Sequence, residues 1–99
     1  MENLSFNEAK EKNFDTLKQF TPIVDRVHGP SHPEFHDVKD LWEAIYEKSE
    51  AAGSEKPELD EEFAKLREVT SNYEVPGDVC ESYEKVYNLL EEVDAAYQA

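Results

Sequence analysis

Cysteine, glycine and long apolar runs are scarce in this chain of 99 residues, which has one cysteine and three glycines. A single cysteine excludes an internal disulfide and indicates a reducing compartment. No window of about 18 apolar residues occurs, which is the length that a membrane-spanning helix requires. The first residues lack the basic and apolar regions of a signal peptide. We therefore expect a cytoplasmic protein whose partner is not a membrane.

Positive charge is also in short supply, because 10 lysines and arginines stand against 24 aspartates and glutamates, a formal net charge of −14. Binding to nucleic acid depends on neutralising phosphates with basic side chains, so this balance argues against that class of partner. It argues equally against an anionic membrane surface. The charge favours a soluble protein that meets cations or a basic partner, or one whose acidic surface only keeps it solvated.

The apolar side chains, 38% of the sequence, recur at the 3.6-residue spacing of α-helices, and no stretch alternates with period two. This spacing predicts one helix over residues 3–28 and a second over residues 33–52. A third helix is expected to start near Pro57 and a fourth near Asp78. Because the connections are short, we predict an all-α, up-down four-helix bundle that forms a single domain over residues 1–99. The side chains expected to be among the most buried are Trp42, Phe63 and Tyr83.

Proline, glycine and capping residues set the predicted ends of these helices. Asn3 or Ser5 caps the first helix, and Pro22 either kinks this helix or splits it into two. The second helix is expected to stop at Gly53. The third is expected to end at Val75-Pro76-Gly77, where proline and glycine break the helical pattern.

Two tetrapeptides have the pattern of a capping box, in which a side chain at the helix start and a carboxylate three residues later cap each other's backbone. Ser31 and Glu34 form the first box, ahead of the second helix. Asp78 and Glu81 form the second box, ahead of the fourth helix. The chain between residues 28 and 34 is therefore predicted to be a sharp corner between two helices.

Three histidines recur at intervals of four residues, and an aspartate continues the series. His32, His36 and Asp40 share one helix face, where two imidazoles and a carboxylate could ligate a divalent metal. The helical wheel places His36 and Asp40 opposite the apolar stripe of this helix, so the face is expected to be exposed. His28 ends the first helix, where a partly charged imidazole interacts favourably with the helix dipole.

Cys80 is predicted in the first turn of the fourth helix, where the helix dipole favours a reactive thiolate. It also lies at the edge of the apolar seam, beside Asp78 and Glu81, which favours a buried and unreactive side chain. The sequence offers no histidine to pair with it. Asp94 falls inside the same apolar seam, so it requires either a polar partner or a frayed helix end.

Two stretches of the chain resemble the iron–sulfur cluster repair family, the hemerythrin-like di-iron proteins called RIC. The first is similar to the V-H-G-x-x-H-P corner between two helices of that family. It reads Val27-His28-Gly29-Pro30-Ser31-His32-Pro33 and is followed by Glu34. The second, from Leu66 to Val93, is similar to the family's T-x-N-(F/V/Y)…P-x-(D/E)-A-C…(W/Y)-x-x-x-Y-N segment. Its matching residues are Val69-Thr70-Ser71-Asn72-Tyr73, Pro76, Asp78-Val79-Cys80 and Tyr83-x-x-x-Tyr87-Asn88.

The resemblance implies a four-helix bundle and, in full members, two irons held by inward His and Glu side chains, but this ligand pattern does not carry over. The family's H-x-x-x-E late in the second helix falls on residues 49–56, which contain no histidine. Its E-H-(D/E) at the start of the third helix reads Glu58-Leu59-Asp60. Its final H-x-x-x-E would begin beyond Ala99.

We therefore expect a shortened relative of that family that binds a protein partner or a second copy of itself. It is expected to have no cofactor of its own and no enzymatic activity, because the sequence contains no recognisable pair of nucleophile and base. The alternative that remains open is a metal-binding protein of iron–sulfur repair or of the nitrosative or oxidative stress response. Iron or another divalent metal would then be held by His32, His36 and acidic residues, at a site completed by dimerisation.

Overall fold

Four α-helices account for most of the chain in the computed structural model, which describes residues 5–53 and 55–99. Their bounds are α1 Phe6–His28, α2 Glu34–Ala52, α3 Asp60–Val69 and α4 Glu81–Gln98. α1 packs against α2 and α4, and α2 packs against α3. The described residues contain no strand, and no helix among them is long and apolar enough to cross a membrane. The prediction of an all-α four-helix bundle is confirmed.

α1 begins at one of the caps predicted for it and continues through Pro22 as one helix. Ser5 Oγ accepts a hydrogen bond from the Glu8 amide at 3.2 Å, and the Glu8 carboxylate accepts one from the Ser5 amide at 3.1 Å. These two bonds complete a capping box. Pro22 lies on the exposed side of α1, where the carbonyl that loses its amide partner can be hydrated. The helix is therefore not split, and Asn3, the other candidate cap, lies outside the described residues.

The capping box predicted at Ser31 is wrong. α2 begins at Glu34, with Pro33 in the N-cap position and no side-chain cap. The backbone forms a turn ahead of it, in which the His32 amide donates to the His28 carbonyl at 2.7 Å. This turn makes Glu34 the first residue of α2 instead of its third. Its carboxylate binds the His32 ring, and Ser31 is exposed.

Of the two helix boundaries between α2 and α3, the end of α2 agrees with the prediction and the start of α3 does not. α2 stops before Gly53, as predicted, and Gly53 has a φ of 63°, which glycine adopts without steric cost. α3 starts at Asp60, later than the predicted start near Pro57. Leu59 is buried ahead of the helix, and its amide donates to the Tyr97 hydroxyl at 2.8 Å. Backbone amides at the start of a helix have no acceptor within the helix, and the distant Tyr97 hydroxyl supplies one for Leu59.

The end of α3 lies at Val69, not at the predicted break over residues 75–77. Three consecutive residues after it have a left-handed backbone, which costs non-glycine residues roughly 1–2 kcal/mol each. They are Ser71, Asn72 and Tyr73, with φ of 53°, 60° and 63°. Thr70 supports this left-handed turn, because its Oγ1 donates to the Leu66 carbonyl at 2.6 Å and accepts from the Tyr73 amide at 2.8 Å.

The second predicted capping box, at Asp78 and Glu81, is also wrong. α4 begins at Glu81 with Cys80 as its N-cap residue and no side-chain cap. The Asp78 carboxylate lies 3.0 Å from His32 Nε2 on the corner between α1 and α2. The Asp78 side chain therefore binds His32 from a distant part of the chain instead of capping the start of α4.

The core is filled by aromatic and aliphatic side chains from all four helices. Trp42, Phe63 and Tyr83 are 3%, 0% and 0% exposed, as predicted. Phe14 packs edge-on against Trp42 with ring centroids 4.8 Å apart, and a similar contact at 6.3 Å joins it to Phe6. Such aromatic pairs add about 0.5–1.5 kcal/mol to the burial of their surface.

Asp94 is the polar residue that the sequence places inside the apolar seam of α4. It is 4% exposed, and it accepts hydrogen bonds from the Tyr73 hydroxyl at 2.7 Å and the Gln98 amide at 3.1 Å. Arg67 Nε lies 3.1 Å away, an ion-pair distance without hydrogen-bond angles. Burial and the neighbouring carboxylate raise the pKa of Tyr73 far above its usual range. Asp94 thus has partners, and α4 does not fray at this position.

Candidate functional site

The two stretches of the sequence that carry the family resemblance meet in space at the corner between α1 and α2. We call the residues that make this contact the corner cluster: His28, His32, Glu34, Asp78 and Cys80. His32 Nδ1 lies 2.9 Å from Glu34 Oε2, and His32 Nε2 lies 3.0 Å from Asp78 Oδ1. A neutral imidazole can donate only one of these two bonds, so both require the imidazolium. The hydrogen bond to Glu34 raises the pKa of His32, and the charge of Asp78 adds to this effect against partial burial.

The second pair of the corner cluster joins a histidine to the cysteine. His28 Nε2 and Cys80 Sγ are 3.0 Å apart. The interpretation of Cys80 as a buried side chain is wrong, because this residue is exposed. It precedes α4 instead of lying within its first turn, so it leaves the apolar seam and reaches the end of α1. The sequence alone offered no histidine partner because the two residues are 52 positions apart.

Tyr83 holds both histidine rings of the corner cluster from the side of the core. Its ring centroid lies 5.4 Å from that of His28 and 5.6 Å from that of His32, with the rings edge-on. Its hydroxyl is 3.0 Å from that of Tyr87. Burial raises the pKa of Tyr83. Tyr83 is therefore both a core residue, as predicted, and the support of the corner cluster, a role that helical spacing does not reveal.

The three residues proposed from sequence as a metal site lie in three different surroundings. His32 is held between its two carboxylates. His36 is exposed, with Nδ1 2.5 Å from Asp25 Oδ1, an ion-pair distance without the angles of a hydrogen bond. Asp40 lines a cleft between α2 and α3. Within residues 5–53 and 55–99, no group of three or more His, Cys, Asp or Glu side chains has an arrangement that could hold a metal ion.

Gly29 explains how the His36 ring can lie against the corner. A Cβ atom at this position would meet the Asp25 carbonyl at 2.4 Å and His36 Cε1 at 2.8 Å, which is closer than side chains approach. The glycine of the corner motif is thus required mainly by the backbone of α1 itself, and the His36 ring of α2 occupies the remaining space beside it.

The interior of the bundle does not fit a di-iron centre, which needs several Glu and His side chains that converge from facing helices. Phe63 and Leu59 occupy the inward positions at the start of α3. Among the described residues, the buried carboxylates are Glu62 and Asp94, and no histidine is buried. Asp94 already has its partners at the other end of α3, and Glu62 binds Lys48 at 2.7 Å.

A cleft of about 370 Å³ lies between α2 and α3 near the end of α3. Its apolar residues are the half-buried Leu41 and Val69, which pack on the core. Three exposed carboxylates and one lysine line it: Asp37, Asp40, Glu68 and Lys65. In the part of the chain that the structure describes, none of the three carboxylates takes part in a hydrogen bond or ion pair.

A second cleft, of about 300 Å³, lies between the same helices at the start of α3. Its lining residues are Lys48, Glu58, Asp60, Glu61 and Glu62. Lys48 follows Leu41 by two helical turns, and Glu62 precedes Val69 by the same interval, so both clefts lie along one side of the α2–α3 contact. We call the two clefts together the acidic seam. The hydrogen bond between Lys48 and Glu62 raises the pKa of Lys48.

Comparison with known proteins gives no family for this chain. No family model matches it, and no solved structure matches it. The resemblance to iron–sulfur cluster repair proteins therefore rests on the two motif stretches.

Proposed function

We propose that this protein is a ligand-depleted relative of the iron–sulfur cluster repair proteins that works by binding a basic protein partner, without a di-iron centre of its own. The observation that carries this proposal is the acidic seam. Three carboxylates surround the first cleft and four line the second, against one lysine in each. One of these lysines, Lys48, is already bound to Glu62. Such a surface attracts basic side chains and repels phosphates.

The placement of the motif residues supports the relationship to that family. Residues of the first motif, His28 and His32, contact Cys80 and Asp78 of the second. Thr70 and Tyr73 of the second motif support the left-handed turn after α3. Four motif residues, two from each stretch, thus build one corner of the bundle together.

The filling of the interior supports partner binding over metal chemistry. At the inward positions where the family's third helix carries a ligand, this chain has a fully buried leucine, Leu59. Two cations placed there would be left without compensating charge, at a cost of several kcal/mol per ion. Most of the acidic side chains of this protein are instead exposed on its surface, where they can bind a basic partner.

Iron loading tests the absence of a di-iron centre. Protein purified without a tag is incubated with ferrous iron under argon and then exposed to air. We expect no oxo-bridged absorption bands and no stoichiometric iron after desalting, because the core has too few ligands. Two irons per chain that are lost in His32→Ala and His36→Ala would refute the proposal and support the metal-binding alternative.

Chemical cross-linking in cell extract tests whether a partner binds at the acidic seam. An amine-reactive cross-linker should join a partner to Lys48 and Lys65, the lysines of the acidic seam, in preference to Lys12 on α1. High salt should weaken the cross-links, because exposed charges are screened within about 10 Å at 0.1 M salt. Cross-links spread evenly over all lysines would contradict a defined binding surface.

A further inference from the structure

We infer that the acidic seam is the docking groove for one basic amphipathic α-helix of the protein partner, with an apolar side chain of that helix inserted between Leu41 and Val69. The inference rests on the proposed function and deepens it, because it names the surface and the chemistry of the occupant. Docking of an amphipathic helix into a groove between two helices is a common mode of peptide recognition.

The geometry of the seam matches the shape of a helix. α2 and α3 run side by side, and the two clefts are displaced by two helical turns, which is about 10 Å along the helices. A helix of two to three turns laid along this contact would cover both clefts at once. Its side chains at i, i+3 or i+4 and i+7 would then face the seam.

The apolar end of the seam gives the occupant its amphipathic character. Leu41 and Val69 pack on the core with one side and remain half-buried. Covering their remaining apolar surface is favourable, because it removes that surface from water. A wholly polar basic segment would leave this surface in contact with water, so an apolar residue is expected in the docked face.

The negative charge of the acidic seam requires a docked helix with positive charge. Asp37, Asp40 and Glu68 surround the apolar end, and none of them has an ion-pair partner among the described residues. Lysine or arginine side chains flanking the inserted residue would supply those partners. A second copy of this chain carries the same net charge of −14, so its approach to the seam would be opposed by like charges.

A labelled synthetic peptide tests the inference directly. The probe is a fluorescein-tagged peptide of about 15 residues, long enough to form a helix when bound, with leucines at helical spacing and lysines elsewhere. A second peptide has the same composition in an order without helical periodicity, and a third has glutamate for lysine. We expect the first to bind in fluorescence anisotropy at least about tenfold more tightly than the second. The acidic peptide should not bind.

Matched variants locate the binding surface. The triple variant Asp37→Asn, Asp40→Asn, Glu68→Gln removes the carboxylates at the apolar end. The variant Glu11→Gln, Asp15→Asn, Glu84→Gln removes equal charge from exposed positions on α1 and α4. The first should weaken binding of the amphipathic peptide by about tenfold or more, and the second by about twofold or less. Circular dichroism confirms that both variants remain folded.

The apolar contact has its own pair of variants. Leu41→Ala should weaken binding of the amphipathic peptide and leave the weak binding of the aperiodic peptide unchanged. Leu89→Ala removes a similar half-buried leucine from α4 and should change neither. Equal losses in the two charge variants, or no effect of Leu41→Ala, would overturn the inference in favour of diffuse electrostatic attraction. Neither outcome depends on the iron-loading experiment, so a failure of the docking groove can be distinguished from a failure of the proposed function.

Discussion

Ser5 caps α1 through its hydroxyl and its backbone amide, whereas Ser31 takes no part in a cap. Ser5→Ala should therefore lower the free energy of unfolding by about 1 kcal/mol, the usual cost of losing an N-cap. Ser31→Ala should change it by less than about 0.5 kcal/mol, as at other exposed sites. Urea unfolding of both variants measures these changes. A loss at Ser31 as large as that at Ser5 would contradict the placement of the start of α2.

His32 links the start of α2 to the segment before α4 through two carboxylates, and its titration should be visible in stability. Its pKa in the folded protein is raised above 6.5. The protonated ring binds both carboxylates, so this stabilisation is fully present below the pKa of the unfolded chain and is lost as pH rises through the folded pKa.

The free energy of unfolding of the wild type should thus fall more steeply than that of His32→Gln from about pH 6 upwards. Comparing the two slopes separates His32 from the other histidines, which both proteins retain. A direct measurement is the NMR titration of the ring. A folded pKa of His32 at or below 6.5 would show that the two carboxylates do not hold an imidazolium.

The left-handed turn after α3 is the least regular element of the structure. Asn72 lies in its middle with a φ of 60°, a conformation that glycine tolerates far better than alanine. Asn72→Ala should destabilise the protein by about 1 kcal/mol, and Asn72→Gly should be neutral or stabilising. Thermal unfolding of the two variants provides the comparison. Equal stability of both would mean that the turn relaxes to a right-handed conformation.

Helices could be predicted from this sequence because burial of apolar side chains governs them, and the apolar spacing records which side is buried. The starts of α2 and α4 could not, because Glu34 and Asp78 bind His32 in place of the backbone amides. At the start of α3, the Leu59 amide donates to the Tyr97 hydroxyl, which comes from a distant part of the chain. A capping pattern in the sequence predicts the end of a helix only when its polar side chains do not bind residues from elsewhere in the fold.

In the candidate sites too, the sequence reveals the residues of each element but not the contacts between elements. The histidine corner is visible in the sequence, but its contact with Cys80 is not, since 52 positions separate the two residues. The acidic run before and at the start of α3 is visible too, in Glu58, Asp60 and Glu61. Its alignment with Asp37 and Asp40 of α2 depends on which helices are neighbours, and helical spacing does not contain that information.

The whole bundle depends on aromatic packing between α1, α2 and α4. Trp42 belongs to this packing, with its ring centroid 4.8 Å from that of Phe14 on α1 and 5.7 Å from that of Tyr46 on α2. Trp42→Ala should lower the free energy of unfolding by about 3–5 kcal/mol, as for other large-to-small changes in cores. Val27→Ala, at a position that is 61% exposed, is the matched control and should be near neutral. Similar losses in both would mean that the protein has no fixed core around Trp42.

The pairing of the first helix with the last sets the order in which this bundle can be made. Phe6 packs against Tyr97, and Lys12 binds Glu92 across 80 positions of sequence. Contacts between such distant positions slow folding, because the intervening chain must be ordered first. During synthesis on the ribosome, the side of α1 that packs against α4, including Phe6, stays exposed to solvent until α4 emerges. A nascent chain stalled before α4 should therefore be a substrate for chaperones, whereas the finished chain should not.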